Sequence, residues 1–305
     1  MDFLVLLLLR LSFASLNAMP LRVRMRIVTS LVRFLVFVRP ELKKVGLRNL
    51  EIAFPDKPVA WREKIWSLST ISLARLIVDF ARLPTIDRQW VNEHVDSSKT
   101  VLLEALRKKS STGSVLLVTG HLGSFELFAH CKALLTRPIS FVVRDFKLRA
   151  VDQWWRAIRE SNGNRVISRS GAFRRILREL ACGRDVAVLF DQNIRREHAV
   201  FVNWFGKPAS TTKALALAAI KSEVPVVVAA MYSTGWDRYK MDYREVLIDD
   251  ILARSELSKT EKVEAVTQRF AFQFEQLIRN SPAEWFWLHR RWKTTPVGEP
   301  ENRYD

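Results

Sequence analysis

The stretch at residues 115–127 reads Val-Leu-Leu-Val-Thr-Gly-His-Leu-Gly-Ser-Phe-Glu-Leu and decides how the chain folds. Its first four residues form a short apolar run after a Ser-Ser-Thr-Gly-Ser turn, the pattern of a buried strand in a parallel sheet. Residues 125–135 follow with the apolar spacing of a helix. His121 therefore lies between the carboxyl end of a strand and the amino end of a helix, where open α/β sheets bind ligands.

A histidine and a glutamate in this stretch are spaced as His-x4-Glu. His121 and Glu126 would lie roughly 140° apart around a straight helix. Gly120 and Gly123 flank the histidine, and glycine tolerates the positive φ of a sharp turn. We therefore predict that His121 folds back over the first helical turn and meets the Glu126 carboxylate. A neutral imidazole held in this way is a general base with a fixed tautomer; the alternative is a polar histidine that caps the helix.

The order of strand, polar end and helix recurs along the chain. Apolar runs at residues 139–143 and 186–190 end in Arg144-Asp145 and Asp191-Gln192, which again places polar residues at the carboxyl ends of strands. This repetition predicts an α/β fold with a mainly parallel central sheet flanked by helices. A Trp-rich tail after residue 280 is expected to fold back on the domain. Further helices are predicted at residues 61–82, 97–109, 172–180, 211–219 and 262–280, and further strands at residues 165–167, 224–230 and 241–248.

Composition limits the classes of protein that the chain can represent. The 305 residues are 48% hydrophobic, which is enough to build a sizeable core, and we predict one large domain. Lys and Arg number 49 against 32 Asp and Glu, so the net charge of +17 predicts an anionic partner: nucleic acid, acidic lipid or an acidic protein. Cys131 and Cys182 lack Cys-x-x-Cys spacing, which indicates reduced thiols and a cytoplasmic location.

Several familiar site motifs are missing from the sequence. There is no His-Glu-x-x-His motif or cysteine cluster for a metal, no Gly-x-Ser-x-Gly nucleophile elbow and no Gly-x4-Gly-Lys-Ser/Thr nucleotide loop. We therefore expect neither a metal nor a cofactor. No nucleic-acid-binding motif is recognisable either, so we expect the positive charge to serve lipid or protein partners.

The amino-terminal region has the composition of a membrane-attachment segment. The apolar run at residues 3–9 lacks a positively charged leader. The longer apolar stretch at residues 3–18 is interrupted by Arg10 and falls short of the roughly 20 residues of a membrane span. Residues 21–39 interleave five arginines with apolar side chains, which is typical of a helix on an anionic bilayer. We predict a membrane-attachment segment at residues 1–39 and a domain that carries the site at residues 40–305. The alternative is an amphipathic helix packed on the domain.

Four blocks of the sequence resemble one family. Gly120-His121-Leu122-Gly123-Ser124-Phe125-Glu126-Leu127 resembles the His-x4-Glu block of the bacterial lipid A late acyltransferases, the lauroyl and myristoyl transferases that complete lipid A. Residues 46–55 resemble the family's upstream Asn and Phe-Pro signature, residues 191–209 its Asp-Gln and Phe-Phe-Gly blocks, and residues 285–293 its carboxyl-terminal signature. The blocks occur in family order. Asn203-Trp204 departs from the family, which usually has Pro-Phe there.

The resemblance implies a membrane-associated acyltransferase related to the lysophospholipid acyltransferases, with its acyltransferase domain at residues 40–305. Such an enzyme moves a fatty acyl chain from an acyl thioester, with acyl carrier protein as the implied donor, to a hydroxyl of a lipid A precursor or similar anionic glycolipid. It works at the cytoplasmic face of the bacterial inner membrane. The resemblance assigns His121 as general base and Glu126 as the group that orients it. Alternatives are a lysophospholipid or other glycolipid acyltransferase, and an inactive lipid-binding protein of the same fold.

Attack on a thioester creates an oxyanion, which needs hydrogen-bond donors. We predict that backbone N–H groups near Gly123, or a positioned Arg144 or Arg159, supply them; the alternative for the arginines is a solvated or phosphate-facing cation. Asp191 and Gln192 are candidates for substrate binding, although Asp191 could equally make a structural hydrogen bond.

We also predict direct transfer without an acyl-enzyme. The nearest candidate nucleophiles are Ser124, which we expect to cap the helix, and Cys131, which we expect in the core.

Overall fold

The computed structural model describes residues 2–299 and 303–304. The predicted segment at residues 1–39 includes Met1, and the predicted domain at residues 40–305 includes residues 300–302 and 305. These five residues lie outside the described residues. The strands are β1 (Val95–Asp96), β2 (Leu116–Thr119), β3 (Ile139–Val143), β4 (Arg165–Ser168), β5 (Asp185–Leu189), β6 (Ala199–Trp204), β7 (Lys207–Thr212), β8 (Val226–Gly235) and β9 (Arg238–Val246).

The described helices are α1 (Asp2–Ala18), α2 (Leu21–Val38), α3 (Pro40–Ala53), α4 (Val59–Arg82), α5 (Arg88–His94), α6 (Thr100–Lys109), α7 (Phe125–Leu135), α8 (Arg149–Glu160), α9 (Ala172–Ala181), α10 (Ala214–Ser222), α11 (Asp249–Leu252) and α12 (Lys259–Asn280). Short 3₁₀ turns lie at Leu83–Thr85, Arg196–His198 and Pro282–Glu284.

Seven of the strands form one sheet in the order β1-β9-β8-β2-β5-β3-β4. Five neighbouring pairs are parallel, and the β8–β9 pair is antiparallel. The predicted mainly parallel sheet is therefore confirmed. A separate antiparallel hairpin of β6 and β7 was not predicted. The helix predicted at residues 211–219 is wrong at its start, because Thr211 and Thr212 pair with β6 and α10 begins only at Ala214.

Alternating side chains of the central strand β2 pack on opposite faces of the sheet. Leu116 and Val118 belong to the core on the side of α10 and α12, whereas Leu117 belongs to the core that includes α6 and α7. All three are fully buried. Helices thus cover both faces, and the loop that carries His121 leaves from the most enclosed strand of the sheet.

The Trp-rich tail folds back on the domain, as predicted. Trp285, Trp287 and Trp292 are all buried. The tail also holds the loop after β2, because the Phe286 N–H donates to the His121 carbonyl at 3.0 Å. The position of His121 therefore depends on residues at the far end of the chain.

The first two helices pack on the domain and keep an exposed apolar face. Met25 and Val28 of α2 lie in a small core with Val78 of α4, and Phe13 of α1 contacts Phe80 and Trp154 edge to face. Within the described residues, no helix combines the length and the apolar composition that crossing a bilayer requires. The division at residue 39 stays a prediction. The large apolar side chains on the outer faces are Phe3, Leu4, Leu7, Leu8 and Leu11 of α1, and Val23, Ile27, Leu31, Phe34, Leu35, Phe37 and Val38 of α2.

Candidate active site

Two glycines give the loop after β2 its close contacts. A Cβ atom at Gly120 would lie 2.5 Å from the Phe274 ring and 2.7 Å from the Asp191 carboxyl carbon. Gly123 has φ of +61°, and a Cβ atom there would lie 2.1 Å from the Met231 carbonyl oxygen. Any larger residue would push the loop away from β8 and from Asp191. The glycines therefore bring His121 against the end of β5.

The Asp191 carboxylate holds His121 by two hydrogen bonds and is itself held by the tail. Its Nδ1 lies 2.8 Å from Asp191 Oδ1, and its backbone N–H donates to Oδ2 at 2.8 Å. The indole N–H of Trp285 also donates to Oδ2, at 2.8 Å. Because β2 and β5 are parallel neighbours, with Thr119 paired to Leu189, their carboxyl ends place the two side chains together. The sequence located Asp191 correctly at a strand end, but it did not identify the histidine as its partner.

The ionisation of Asp191 fixes the tautomer of His121. Burial alone would raise the pKa of Asp191, but the His121 ring and the hydrogen bonds from His121 and Trp285 lower the pKa to about 2. An ionised carboxylate only accepts hydrogen bonds, so Nδ1 must carry a proton. In the neutral ring, Nε2 then keeps its lone pair. This nitrogen lies 3.2 Å from the Gln192 amide nitrogen.

The predicted contact between His121 and Glu126 is wrong. Glu126 accepts hydrogen bonds from Arg159, with Nε 3.0 Å from Oε2 and with Nη2 on Oε1. Both side chains are 12% exposed, and the guanidinium lies 5.6 Å from the centre of the Trp155 ring. Both ring nitrogens of His121 have other partners, because Asp191 draws the histidine toward β5 whereas the first turn of α7 contacts α8. Glu126 therefore orients Arg159.

The N–H groups of Gly123 and Ser124, which belong to the predicted set of oxyanion donors, are bonded within the protein. The Gly123 N–H donates to the Glu284 carbonyl at 2.8 Å, and the Ser124 N–H donates to the Met231 carbonyl at 3.0 Å. These bonds hold the loop between β8 and the tail, so neither N–H group is available to a substrate. Donors in this site must come from side chains or from other backbone groups.

Both candidate nucleophiles are buried. The prediction that the Ser124 side chain caps α7 is wrong. Its hydroxyl donates to the buried Asp79 carboxylate instead. Cys131 lies in the core, as predicted, and burial raises the pKa of its thiol far above the ordinary value. Both cysteines are free thiols, and Cys182 is exposed on the surface.

A large cavity opens at the carboxyl ends of β2, β3 and β5. Its volume is about 1210 Å³, above the roughly 300–1,000 Å³ of ordinary ligand pockets. Apolar side chains, including Phe141, Phe173 and Leu215, form much of its wall. Such a cavity suits a long apolar ligand that carries a polar group. Of the predicted site residues, the cavity brings together His121, Glu126, Arg144, Arg159 and Gln192; Asp191 lies buried behind His121, and Gly123 does not line the cavity.

Residues in the tail support the site in a way that the sequence did not predict. His289 accepts the Asn193 N–H at its Nε2, at 2.7 Å, and so holds the chain just after Gln192. Burial lowers the pKa of His289 to about 4, which keeps the ring neutral and able to accept. The Trp-rich block was recognised in the sequence, but its contacts with the loop after β5 depend on the fold.

Fold and site together define an α/β protein with a carboxylate-held histidine beside a large cavity at the ligand-binding edge of its sheet. This is an arrangement suited to proton transfer at a bound substrate. The family model for bacterial lipid A biosynthesis acyltransferases matches residues 1–294. The chain belongs to this family and is therefore an O-acyltransferase, as the resemblance implied.

Several proteins named for lipid A biosynthesis are similar to this chain over most of their length. An Escherichia coli K12 lipid A biosynthesis palmitoleoyltransferase is 24% identical over 271 residues, covering 86% of this chain and 83% of that protein. An E. coli K12 lipid A biosynthesis myristoyltransferase is 21% identical over 297 residues, covering 96% and 89%. A Haemophilus influenzae lipid A biosynthesis acyltransferase is 24% identical over 265 residues, covering 86% and 80%.

Proposed function

We propose that this protein transfers a fatty acyl chain from an acyl carrier protein thioester to a hydroxyl of a lipid A precursor or similar anionic glycolipid. The single observation that carries the proposal is the His121–Asp191 pair at a cavity of about 1210 Å³. Membership of the lipid A acyltransferase family supports the reaction class. The names of two relatives, a palmitoleoyltransferase and a myristoyltransferase, support a long acyl chain as the transferred group.

His121 acts as the general base in this proposal. Its Nε2 takes the proton of the acceptor hydroxyl while the oxygen attacks the thioester carbonyl, and Asp191 stabilises the imidazolium that forms. Gln192 is 3.2 Å from Nε2 and must rotate away when the hydroxyl arrives. Its side chain is exposed at the cavity, so this movement meets little resistance.

The tetrahedral intermediate carries a negative oxygen that needs donors inside the cavity. Gln192 and Arg159 line the same cavity as His121, and both carry N–H groups. Glu126 holds Arg159 by two hydrogen bonds, which fixes the guanidinium in the wall. When the intermediate collapses, the carbon–sulfur bond breaks and the thiolate takes the proton from the imidazolium. The products are an ester and a free thiol, and His121 returns to its starting state.

Transfer is direct in this scheme. Ser124 and Cys131 are the nearest candidate nucleophiles, and both are buried. The Ser124 hydroxyl is bonded to Asp79, and burial raises the pKa of the Cys131 thiol. A thioester has a good leaving group, so a base and an incoming hydroxyl are sufficient without a covalent intermediate. The scheme also uses no metal or cofactor.

Charge and exposed apolar surface support a membrane-bound enzyme with an acidic donor protein. The net charge of +17 attracts both acyl carrier protein and an anionic glycolipid. Arg22, Arg26 and Arg33 are exposed on α2 next to its exposed apolar side chains. This combination is typical of helices on anionic bilayers. We place the enzyme at the cytoplasmic face of the inner membrane, where the donor is available.

The test is product analysis with purified full-length protein. The protein is mixed with a pool of acyl carrier proteins bearing different chains and with separate acceptors: lipid A precursors, other glycolipids and lysophospholipids. Mass spectrometry is expected to show one acyl chain added to a lipid A precursor, with the product greatly reduced in His121→Ala. Acylation of lysophospholipid alone would contradict the proposed acceptor, and equal turnover by folded His121→Ala would contradict the proposed base.

A further inference from the structure

The rim of the cavity carries cations that the mechanism does not use. Arg144, Lys147 and Arg169 line the cavity and are exposed. Within the described part of the chain, none of the three pairs with a carboxylate. Exposed cations in proteins usually need no partner, but three beside one cavity create a local excess of positive charge.

The sheet brings two of these cations together. β3 and β4 are parallel neighbours in which Val143 pairs with Ser168, and the Arg169 N–H donates to the Val143 carbonyl at 2.9 Å. Arg144 and Arg169 are the next residues of their strands, so they leave the sheet side by side. Lys147 follows in the loop before α8. The cations therefore lie at one end of the cavity, on the side of β3 and β4.

Neighbouring carboxylates do not neutralise this end of the cavity. Only two of the described lining residues are acidic, Glu126 and Asp145. Glu126 is bonded to Arg159, and Asp145 is bonded to Arg156 and to the Ser168 hydroxyl. Because both carboxylates already have partners, the charge of the three rim cations is available to a ligand.

We infer that Arg144, Lys147 and Arg169 form a subsite for a phosphate ester of one of the substrates. Guanidinium groups bind phosphate oxygens in a bidentate manner and an ammonium adds a point charge, so the three suit a multiply charged tetrahedral anion. The apolar wall and His121 lie in the same cavity, which fits a ligand with phosphate at the rim and its reacting group inside. The inference rests on the proposed function for its substrates. The phosphate belongs either to the glycolipid acceptor or to the phosphopantetheine arm of the donor.

Binding experiments test the subsite without requiring turnover. Isothermal titration at low ionic strength compares 4′-phosphopantetheine with pantetheine, and glucosamine 1-phosphate with glucosamine, on wild type and on Arg144→Gln, Lys147→Gln, Arg169→Gln and the triple variant. Arg178→Gln is the matched control, because Arg178 is exposed on α9 and does not line the cavity. Each rim substitution should weaken one phosphorylated probe about tenfold, the scale of a charge-assisted hydrogen bond, and leave its phosphate-free counterpart unchanged. The probe that responds identifies the source of the phosphate.

Acyl-transfer kinetics give the second readout. The rim variants should raise KM for the phosphorylated substrate about tenfold and change kcat little, and Arg169→Lys should restore part of the loss. The inference is overturned if neither phosphorylated probe binds more tightly than its counterpart, or if the rim variants behave like Arg178→Gln. If wild type binds phosphate at the rim but transfers no acyl chain, the proposed function fails and the subsite stands.

Discussion

The change Asp191→Asn tests the tautomer of His121 directly. Oδ2 of Asp191 accepts two N–H donors, from the His121 backbone and from the Trp285 indole, so this position must remain an oxygen in the amide. The amide nitrogen is then forced into the position of Oδ1, where it faces His121 Nδ1. Two N–H groups cannot face each other, so Nδ1 becomes the acceptor and the proton moves to Nε2. A ring protonated at Nε2 cannot take a proton from a hydroxyl.

The magnitude follows from the loss of both the correct tautomer and the charge that stabilises the imidazolium. The same exchange in the triad of serine proteases lowers kcat by about 10⁴. General-base contributions alone are about 10² to 10⁴. We therefore expect a loss of roughly 10³-fold or more in kcat, with a smaller change in KM because Asp191 does not line the cavity.

The assay is acyl transfer under saturating donor and acceptor, with nitrogen-15 NMR of the histidine ring as an independent readout. Wild type should show the proton on Nδ1, and Asp191→Asn should show it on Nε2. Glu126→Gln is the matched control, since it alters a carboxylate bonded to Arg159 and should leave the His121 tautomer unchanged. A folded Asp191→Asn that retains kcat within about threefold of wild type, or that keeps the proton on Nδ1, would refute the reasoning.

Four further outcomes follow from the structure. Because Glu126 and Arg159 bond to each other, Glu126→Gln and Arg159→Gln should each reduce kcat. The double variant should lose little more activity than the worse single variant. Additive losses in the double-mutant cycle would contradict this pairing. The pKa of His289 is lowered from 6.5 to about 4 in the folded protein. Between these pH values the unfolded chain binds one more proton, so the free energy of unfolding should rise with pH by roughly 3 kcal/mol. Denaturant melts of His289→Gln should lack that part of the slope. Deleting residues 1–39 should make the protein easier to extract from membranes with salt, because each exposed arginine near anionic lipid contributes about 1 kcal/mol, and unchanged pelleting at high salt would place the attachment elsewhere. Enzyme incubated with acyl donor alone should keep its unmodified intact mass, whereas a stoichiometric adduct lost in Ser124→Ala or Cys131→Ala would show a covalent route.

Local pattern was enough to predict the elements around the site. The apolar run ending at Val118, the glycines on both sides of His121 and the helical spacing after Ser124 gave β2, the turn and the bounds of α7. The recurrence of this pattern gave the parallel sheet. These features depend on residues close in sequence, because period-2 and period-3.6 spacing and the φ range of glycine act within a few residues. The family blocks carried the reaction class for the same reason, since each is a short run of residues.

The partners within the site were decided only by the tertiary structure. Asp191 is seventy residues from His121, and Arg159 is thirty-three residues from Glu126. Which strands become neighbours, and which turn of α7 contacts α8, follow from how the whole core packs rather than from any local spacing. The sequence therefore paired His121 with the nearest carboxylate along the chain, whereas the parallel pairing of β2 with β5 gave it Asp191. The β6–β7 hairpin escaped prediction for the same physical reason, because strand pairing is a contact between segments and not a property of either one.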